Sequence, residues 1–140
     1  MTHPMTNIKK FRITAGDFQL GEFDTCTGLG CRIEVEETFN EGTTPLNVRF
    51  EMLQVTRMPS LQMFGVWSWF KYLTVNRVRL SATVTALDTD GFDVIRWELK
   101  NAAPYRWTGL RITSLENPTC APEELDIVHY GIMSMESARS

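Results

Sequence analysis

The chain has little of what active-site chemistry draws on. His3 and His129 are its two histidines, and Cys26, Cys31 and Cys120 its three cysteines. No pair of cysteines stands in CxxC spacing, so neither a zinc knuckle nor a redox couple is spelled out, and a metal site is not expected. An odd number of unpaired cysteines suits free thiols in a reducing compartment, and all three are expected as small, buried or half-buried apolar groups. A basic excess is missing too: 14 Lys and Arg against 17 Asp and Glu leave a formal net charge of -3. Such a chain has no general positive field for holding a nucleic acid backbone. Long apolar runs are also absent. The most apolar segment, residues 61–75, is interrupted by Gln62 and Lys71 and falls short of the roughly twenty residues of a bilayer span. The opening MTHPMTNIKKF carries no apolar stretch behind a charged start, so Sec export is not expected.

What the chain does have is enough apolar material for one core and a repeated two-residue alternation. With 43% hydrophobic and 22% charged residues in 140, a single domain is expected over residues 10–133, with a flexible arm at 1–9 and a tail at 134–140. Phe11 and Ile13 oppose Arg12, the pattern of a half-buried strand, and Gly16-Asp17 turns the chain into a return strand at 18–23. Gly28 and Gly30 bracket Leu29 in a CTGLGC loop that needs unusual backbone freedom. Ile33, Val35 and Phe39 then alternate with Arg32, Glu34 and Glu36. Beyond a polar tip at 40–45, Leu46, Val48, Phe50 and Met52 alternate with Asn47, Arg49 and Glu51. Two long strands joined by such a tip predict a hairpin arm that reaches past its own core.

Pro59-Ser60 opens a predicted helix over 61–73, with Ser60 as its N-cap and Met63, Val66, Trp67, Phe70 and Leu73 along one face. Leu61, Phe64 and Trp69 spread the apolar surface further, so a helix covering only its own sheet would leave large side chains in water; burial by a second body is the remedy. Val78, Leu80, Ala82, Val84 and Ala86 alternate with Arg77, Arg79, Ser81, Thr83 and Thr85. The turn Asp88-Thr89-Asp90-Gly91 leads back into Ile95, Trp97 and Leu99, set against Arg96, Glu98 and Lys100. An extended segment at 105–114 and a last strand at 125–132 follow. The sum is a mainly β fold of some seven strands: an antiparallel sandwich or half-barrel with one inserted helix, whose unpaired edges invite another chain.

Catalytic alternatives find little support. A nucleophilic pair of Cys26 or Cys31 with His129 would need an activating arrangement that no motif supplies. Glu34 and Glu36 share one strand face, the ordinary solvated side of a sheet, and CTGLG lacks the spacing and following helix of a phosphate loop. A lipocalin-like barrel binding a small apolar molecule is the alternative of a different class, and it requires a closed barrel with an apolar cavity. No cofactor is expected.

Five segments, in order, carry a resemblance. FRITAGDFQLGEFDTCTGLG, with Thr27, Gly28 and Leu29 at its end, RIEVEETFNEG, VWSWF, VIRWELKNAAPYRWTG and EELDIVHYGI, with His129 and Gly131, resemble the phage tail tube family of contractile tails and contractile injection systems. Two places depart from the family pattern: Ala103 stands where a tryptophan usually precedes the proline, and RFEMLQVTRMPS only loosely echoes the glycine-punctuated strand that leaves the hairpin arm.

The resemblance implies a non-enzymatic structural subunit. Neighbouring sheets would join edge to edge in hexameric rings, forming a continuous β-barrel, and the rings would stack into a tube that a contracting sheath drives through a target envelope. Its partners would be further copies of itself, the sheath protein, and baseplate and cap or terminator proteins, with cargo or DNA passing through the lumen and no membrane anchor. Assembly would take place in the bacterial cytoplasm, into a virion tail or injection particle. A tube-initiating ring at the baseplate is the alternative within the family. Asn40, Pro45, Arg57, Trp67, Trp69 and Phe70 are the expected contacts with other subunits or the sheath. Either Asn47, Arg49 and Glu51, or Arg77, Arg79, Ser81 and Thr83, are expected to line the lumen.

Overall fold

The computed structural model describes residues 7–35, 46–112, 116 and 119–137. Alternating apolar residues fold into strands β1 (Ile8–Ala15), β2 (Phe18–Phe23), β3 (Thr25–Thr27), β4 (Cys31–Val35), β5 (Leu46–Phe50), β6 (Leu53–Arg57), β7 (Leu80–Asp88), β8 (Asp93–Thr108), β9 (Glu123–Val128) and β10 (Gly131–Ser137), with helix α1 (Met63–Asn76) between β6 and β7. The sheet runs in the order β2-β1-β7-β8-β9-β6-β3, and β10 pairs with β8. All of these pairings are antiparallel.

β8 is the spine of the molecule. Its first half pairs with β7 and β10, and its second half, from Ala103 on, pairs with β9. The strand changes direction at Asn101, whose φ of 48° lies in the left-handed region that asparagine tolerates better than most residues. The result is a front sheet, β2-β1-β7-β8-β10, folded over a back sheet, β8-β9-β6-β3. Ile13, Leu20, Phe23, Val84, Trp97 and Leu99 from the front meet Leu53, Val55, Leu125 and Ile127 from the back in one buried core. Helix α1 adds Val66 and Trp69 to it. Gly65 permits the close approach: a Cβ there would run into the backbone carbonyl of Gln19 on β2.

Several expectations require correction. The alternation from Leu46 onward is two strands, since the chain breaks at Glu51 and Met52; β5 pairs with β4, whereas β6 joins β9 and β3. Gly28 belongs to this break, because its φ of 97° brings it against the Met52 carbonyl where no side chain would fit. The last strand is likewise two, β9 and β10, parted at His129-Tyr130. The extended segment around 105 is no separate strand: Pro104 sits inside β8. The helix starts later than predicted, capped at Gln62 without a side-chain bond, and Ser60 accepts a hydrogen bond from the Gln62 N–H instead, at 3.2 Å. Strand structure passes both expected domain ends, beginning at Ile8 and reaching Ser137. Of the cysteines, Cys26 is half-buried but Cys31 and Cys120 are exposed. Among the described residues, no helix is long and apolar enough to cross a membrane.

Candidate assembly surfaces

The outer face of the front sheet is a grid of polar side chains. Cross-strand register sets Glu22, Arg12, Thr85, Arg96 and Glu136 in one transverse row, and Gln19, Thr14, Thr83, Glu98 and Ser134 in the next. Each row crosses all five strands, because residues facing one another on neighbouring strands point to the same side. Asp93, at the start of β8, accepts a hydrogen bond from Arg12 Nη2 at 3.0 Å and lies 3.6 Å from Arg96 Nη2. Thr83 donates to Glu98 Oε1 at 3.3 Å. A hollow of about 280 Å³ opens between the rows, lined by Arg12, Thr14, Thr83, Thr85, Arg96 and Glu98. A smaller one, about 150 Å³, lies on the back sheet between Gln54, Arg106, Thr108, Glu124 and Asp126.

The strand edges of the front sheet are β2 on one side and β10 on the other. β10 presents Met133 and Met135 to solvent. The outward side of α1 exposes Phe64, Trp67 and Val75, with Ser68 and Lys71 among them and Leu61 beside its start. The apolar side chains here are the exposed counterpart of the Val66 and Trp69 face, and water is a poor neighbour for them.

The expected contact residues divide. Asn40 and Pro45 lie outside the described residues. Trp67 is 53% exposed, and Phe70 is half-buried, stacked on Trp107 with ring centroids 6.0 Å apart. Trp69 and Arg57 are corrections: both are inside the subunit. The helix is rotated so that Trp69, rather than Trp67, shares the Val66 face. Arg57 Nε donates to Glu123 Oε1 at 2.7 Å and its Nη1 to the Leu20 carbonyl at 2.6 Å and to Gln62 Oε1 at 2.9 Å. Its guanidinium also lies 4.0 Å over the Phe23 ring, and Trp107 Nε1 donates to Glu123 Oε2 at 2.8 Å. A buried cation with a bidentate carboxylate and two further acceptors is a satisfied core group, which is why it is not available to a neighbour.

The two alternative sets expected to line the lumen lie on different elements. Asn47 and Arg49 lie on β5 of the separate β4–β5 hairpin, and Glu51 in the break after it. Arg77 is no strand residue: with a φ of 55° it ends α1. Arg79 also precedes β7, lies 4.4 Å over the Tyr130 ring and donates to the Asn101 carbonyl at 3.1 Å. Ser81 and Thr83 are in β7, and Thr83 takes its place in the polar rows. Alternation had already set Arg12, Arg96 and Glu98 opposite apolar partners. The β7–β8 hairpin sets Glu98 beside Thr83 and Arg96 beside Thr85, and the pairing of β1 with β7, distant in sequence, adds Arg12.

His129 ties the closing strand to the hairpin. Its Nε2 lies 3.0 Å from the Glu51 carbonyl, to which it donates, and its Nδ1 accepts the Gly131 N–H at 3.1 Å. Burial holds its pKa below the ordinary value, against the pull of the bond to the Glu51 carbonyl. With both nitrogens engaged by backbone, the ring is not free to serve as a base for a cysteine. Cys26 is no better suited, since burial pushes its thiol up to about 12. The requirement of a lipocalin-like barrel is also unmet, because the front sheet does not close on itself and its inner side is packed with core side chains.

The sequence profile of the T4-like virus tail tube protein gp19 matches residues 8–133. A search of curated proteins returns no match. Among solved structures, the chain is similar to one in the sheath-tube complex of PVC, an extracellular contractile injection system, in its extended state, with a TM-score of 0.65 at 15% identity over 92% of this chain and 89% of that one. A chain of the PVC sheath/tube terminator gives 0.65 at 15% identity, covering 98% of each. A chain of the six-fold symmetrised baseplate of the anti-feeding prophage gives 0.63 at 15% identity, covering 100% of each. At these identities the likeness is one of fold.

Proposed function

Because the chain belongs to the family of the T4-like virus tail tube protein gp19, we propose that it builds the inner tube of a contractile injection particle as hexameric rings stacked end to end. A tail tube protein is a structural subunit, not an enzyme. The observation that carries the ring is the front sheet: two strand edges, β2 and β10, flank a sheet that is polar on one side and core on the other. Setting β10 of one subunit against the β2 side of the next, where Arg57 and Gln62 already engage the Leu20 and Glu22 backbone, covers the β10 edge, and repeated head-to-tail contact closes a ring. The polar rows then face the channel, with Ser81 and Thr83 alongside Arg12, Arg96 and Glu98. This favours the β7 alternative for the lumen over the β5 one and drops Arg77 and Arg79 from it. The outward stripe of α1, with Trp67, falls to a neighbouring subunit or the sheath, and the β4–β5 hairpin to the next ring. The six-fold baseplate and the sheath-tube and terminator assemblies that hold chains of like fold support six-fold rings with sheath, baseplate and terminator partners.

Thiol labelling tests the facing. With Cys26, Cys31 and Cys120 replaced by serine, single cysteines at Ser81, Thr83 and Gln54 are introduced and assembled tubes are treated with small and polymer-linked maleimides. The two β7 sites are expected to react with the small reagent and resist the bulky one. Equal reaction with both would put that face outside.

A further inference from the structure

Arg12 and Arg96 stand on either side of Thr85 in one row, above a shelf of Thr14 and Thr83 and beside the 280 Å³ hollow. Two guanidinium forks over hydroxyls are what a phosphate site is made of. Asp93 changes that. Its Oδ1 accepts a hydrogen bond from Arg12 Nη2 at 3.0 Å and its Oδ2 lies 3.6 Å from Arg96 Nη2, an ion-pair distance without a hydrogen bond, so one carboxylate faces both cations. Thr85, beneath them, is 3% exposed. Arg12 and Asp93 are partly exposed, at 39% and 31%, and Arg96 more so, at 45%, so solvent screens the Arg12 pair less than the Arg96 one. Glu98 and the row ends Glu22 and Glu136 add further negative charge around the two cations.

We propose that Asp93 sets how this wall treats a polyanion: by hydrogen-bonding Arg12 and placing its negative charge against Arg96, it offsets a phosphate-binding pair, so that a nucleic acid passes without being held. As a property of the channel, this rests on the reading that the polar rows line it. The physical basis is counterion release. Each phosphate that a protein neutralises steepens the salt dependence of duplex binding by about 0.9 in the log–log slope, and a guanidinium already paired internally contributes little of this.

The experiment measures binding of a short fluorescent DNA duplex by anisotropy, on the unassembled chain, across a salt series. Asp93→Asn is expected to bind at least about tenfold more tightly than the wild type at low salt, with a slope steeper by about one to two. Adding Arg12→Gln and Arg96→Gln to Asp93→Asn is expected to return binding to the wild-type level. In the second arm, which does not depend on Asp93→Asn folding, Arg12→Gln and Arg96→Gln with Asp93 intact are expected to stay within about twofold of wild type, since the two cations are not offered to phosphate. No gain in Asp93→Asn, or a marked loss in the second arm, would overturn the proposal. Binding is measured on the chain itself, so a failure to form tubes would count against the tube reading and leave this result standing.

Discussion

Arg57 illustrates how a single charged side chain can organise a core. It joins β6 to β9 through Glu123, to β2 through the Leu20 carbonyl, and to the approach to α1 through Gln62. Removing one partner leaves the other buried and uncompensated, so Arg57→Ala is expected to lower subunit stability by about 3–5 kcal/mol in urea denaturation, whereas Arg57→Met with Glu123→Leu recovers much of the loss. A loss under about 1 kcal/mol would show the pair to be dispensable. His129 gives a pH dependence of defined sign. Its folded pKa lies below the unfolded value of 6.5, so the folded state favours the neutral ring. As pH falls through that unfolded value, the unfolded chain takes up a proton first and stability drops, levelling off below the folded pKa. Denaturation at pH 7.5 and 5.5 is expected to show this loss in the wild type and a smaller one in His129→Gln; equal losses would contradict it. Neither role was legible in the sequence. Arg57 ends an alternating run and is expected from the sequence as a contact with another subunit or the sheath, and Glu123 and Leu20, like the Glu51 partner of His129, lie far away along the chain.

At the scale of elements, local pattern carried well and pairing did not. The β1–β2 and β7–β8 hairpins, with turns at Gly16-Asp17 and Asp88–Gly91, form as their alternation and turn residues require. The β5–β6 break could not be seen because apolar alternation continues through Glu51 and Met52, and only the different partners of the two strands separate them. Helix α1 was placed correctly but rotated wrongly: with apolar residues on several sides, composition alone could not tell that Trp69 faces the core and Trp67 does not. Its outward stripe supplies a prediction. Phe64→Ser and Trp67→Ser are expected to change isolated-subunit stability by no more than about 0.5 kcal/mol, as exposed substitutions do, while sharply reducing assembly measured by sedimentation. Undiminished assembly would remove the stripe from the contacts between chains.

For the whole molecule, the fold is a folded-over sheet whose front half ends at β10 on one side and, on the other, at β2, where Arg57 and Gln62 already engage the backbone of Leu20 and Glu22. Among the described residues β10 has a strand partner on one side alone, and such an edge is a hazard for a lone protein and a joint for a ring subunit. The sandwich with one helix was legible in the sequence because alternation and length suffice to specify it. Which polar side chains share the face of Arg12 was not, since that depends on β1 pairing with β7 across most of the chain. The measurement that bears most directly on the ring is electron microscopy of the purified protein at high concentration, alone and with its baseplate nucleating partners. Six-fold rings or stacked tubes with a central channel are the expected result. A strictly monomeric species under both conditions would contradict it.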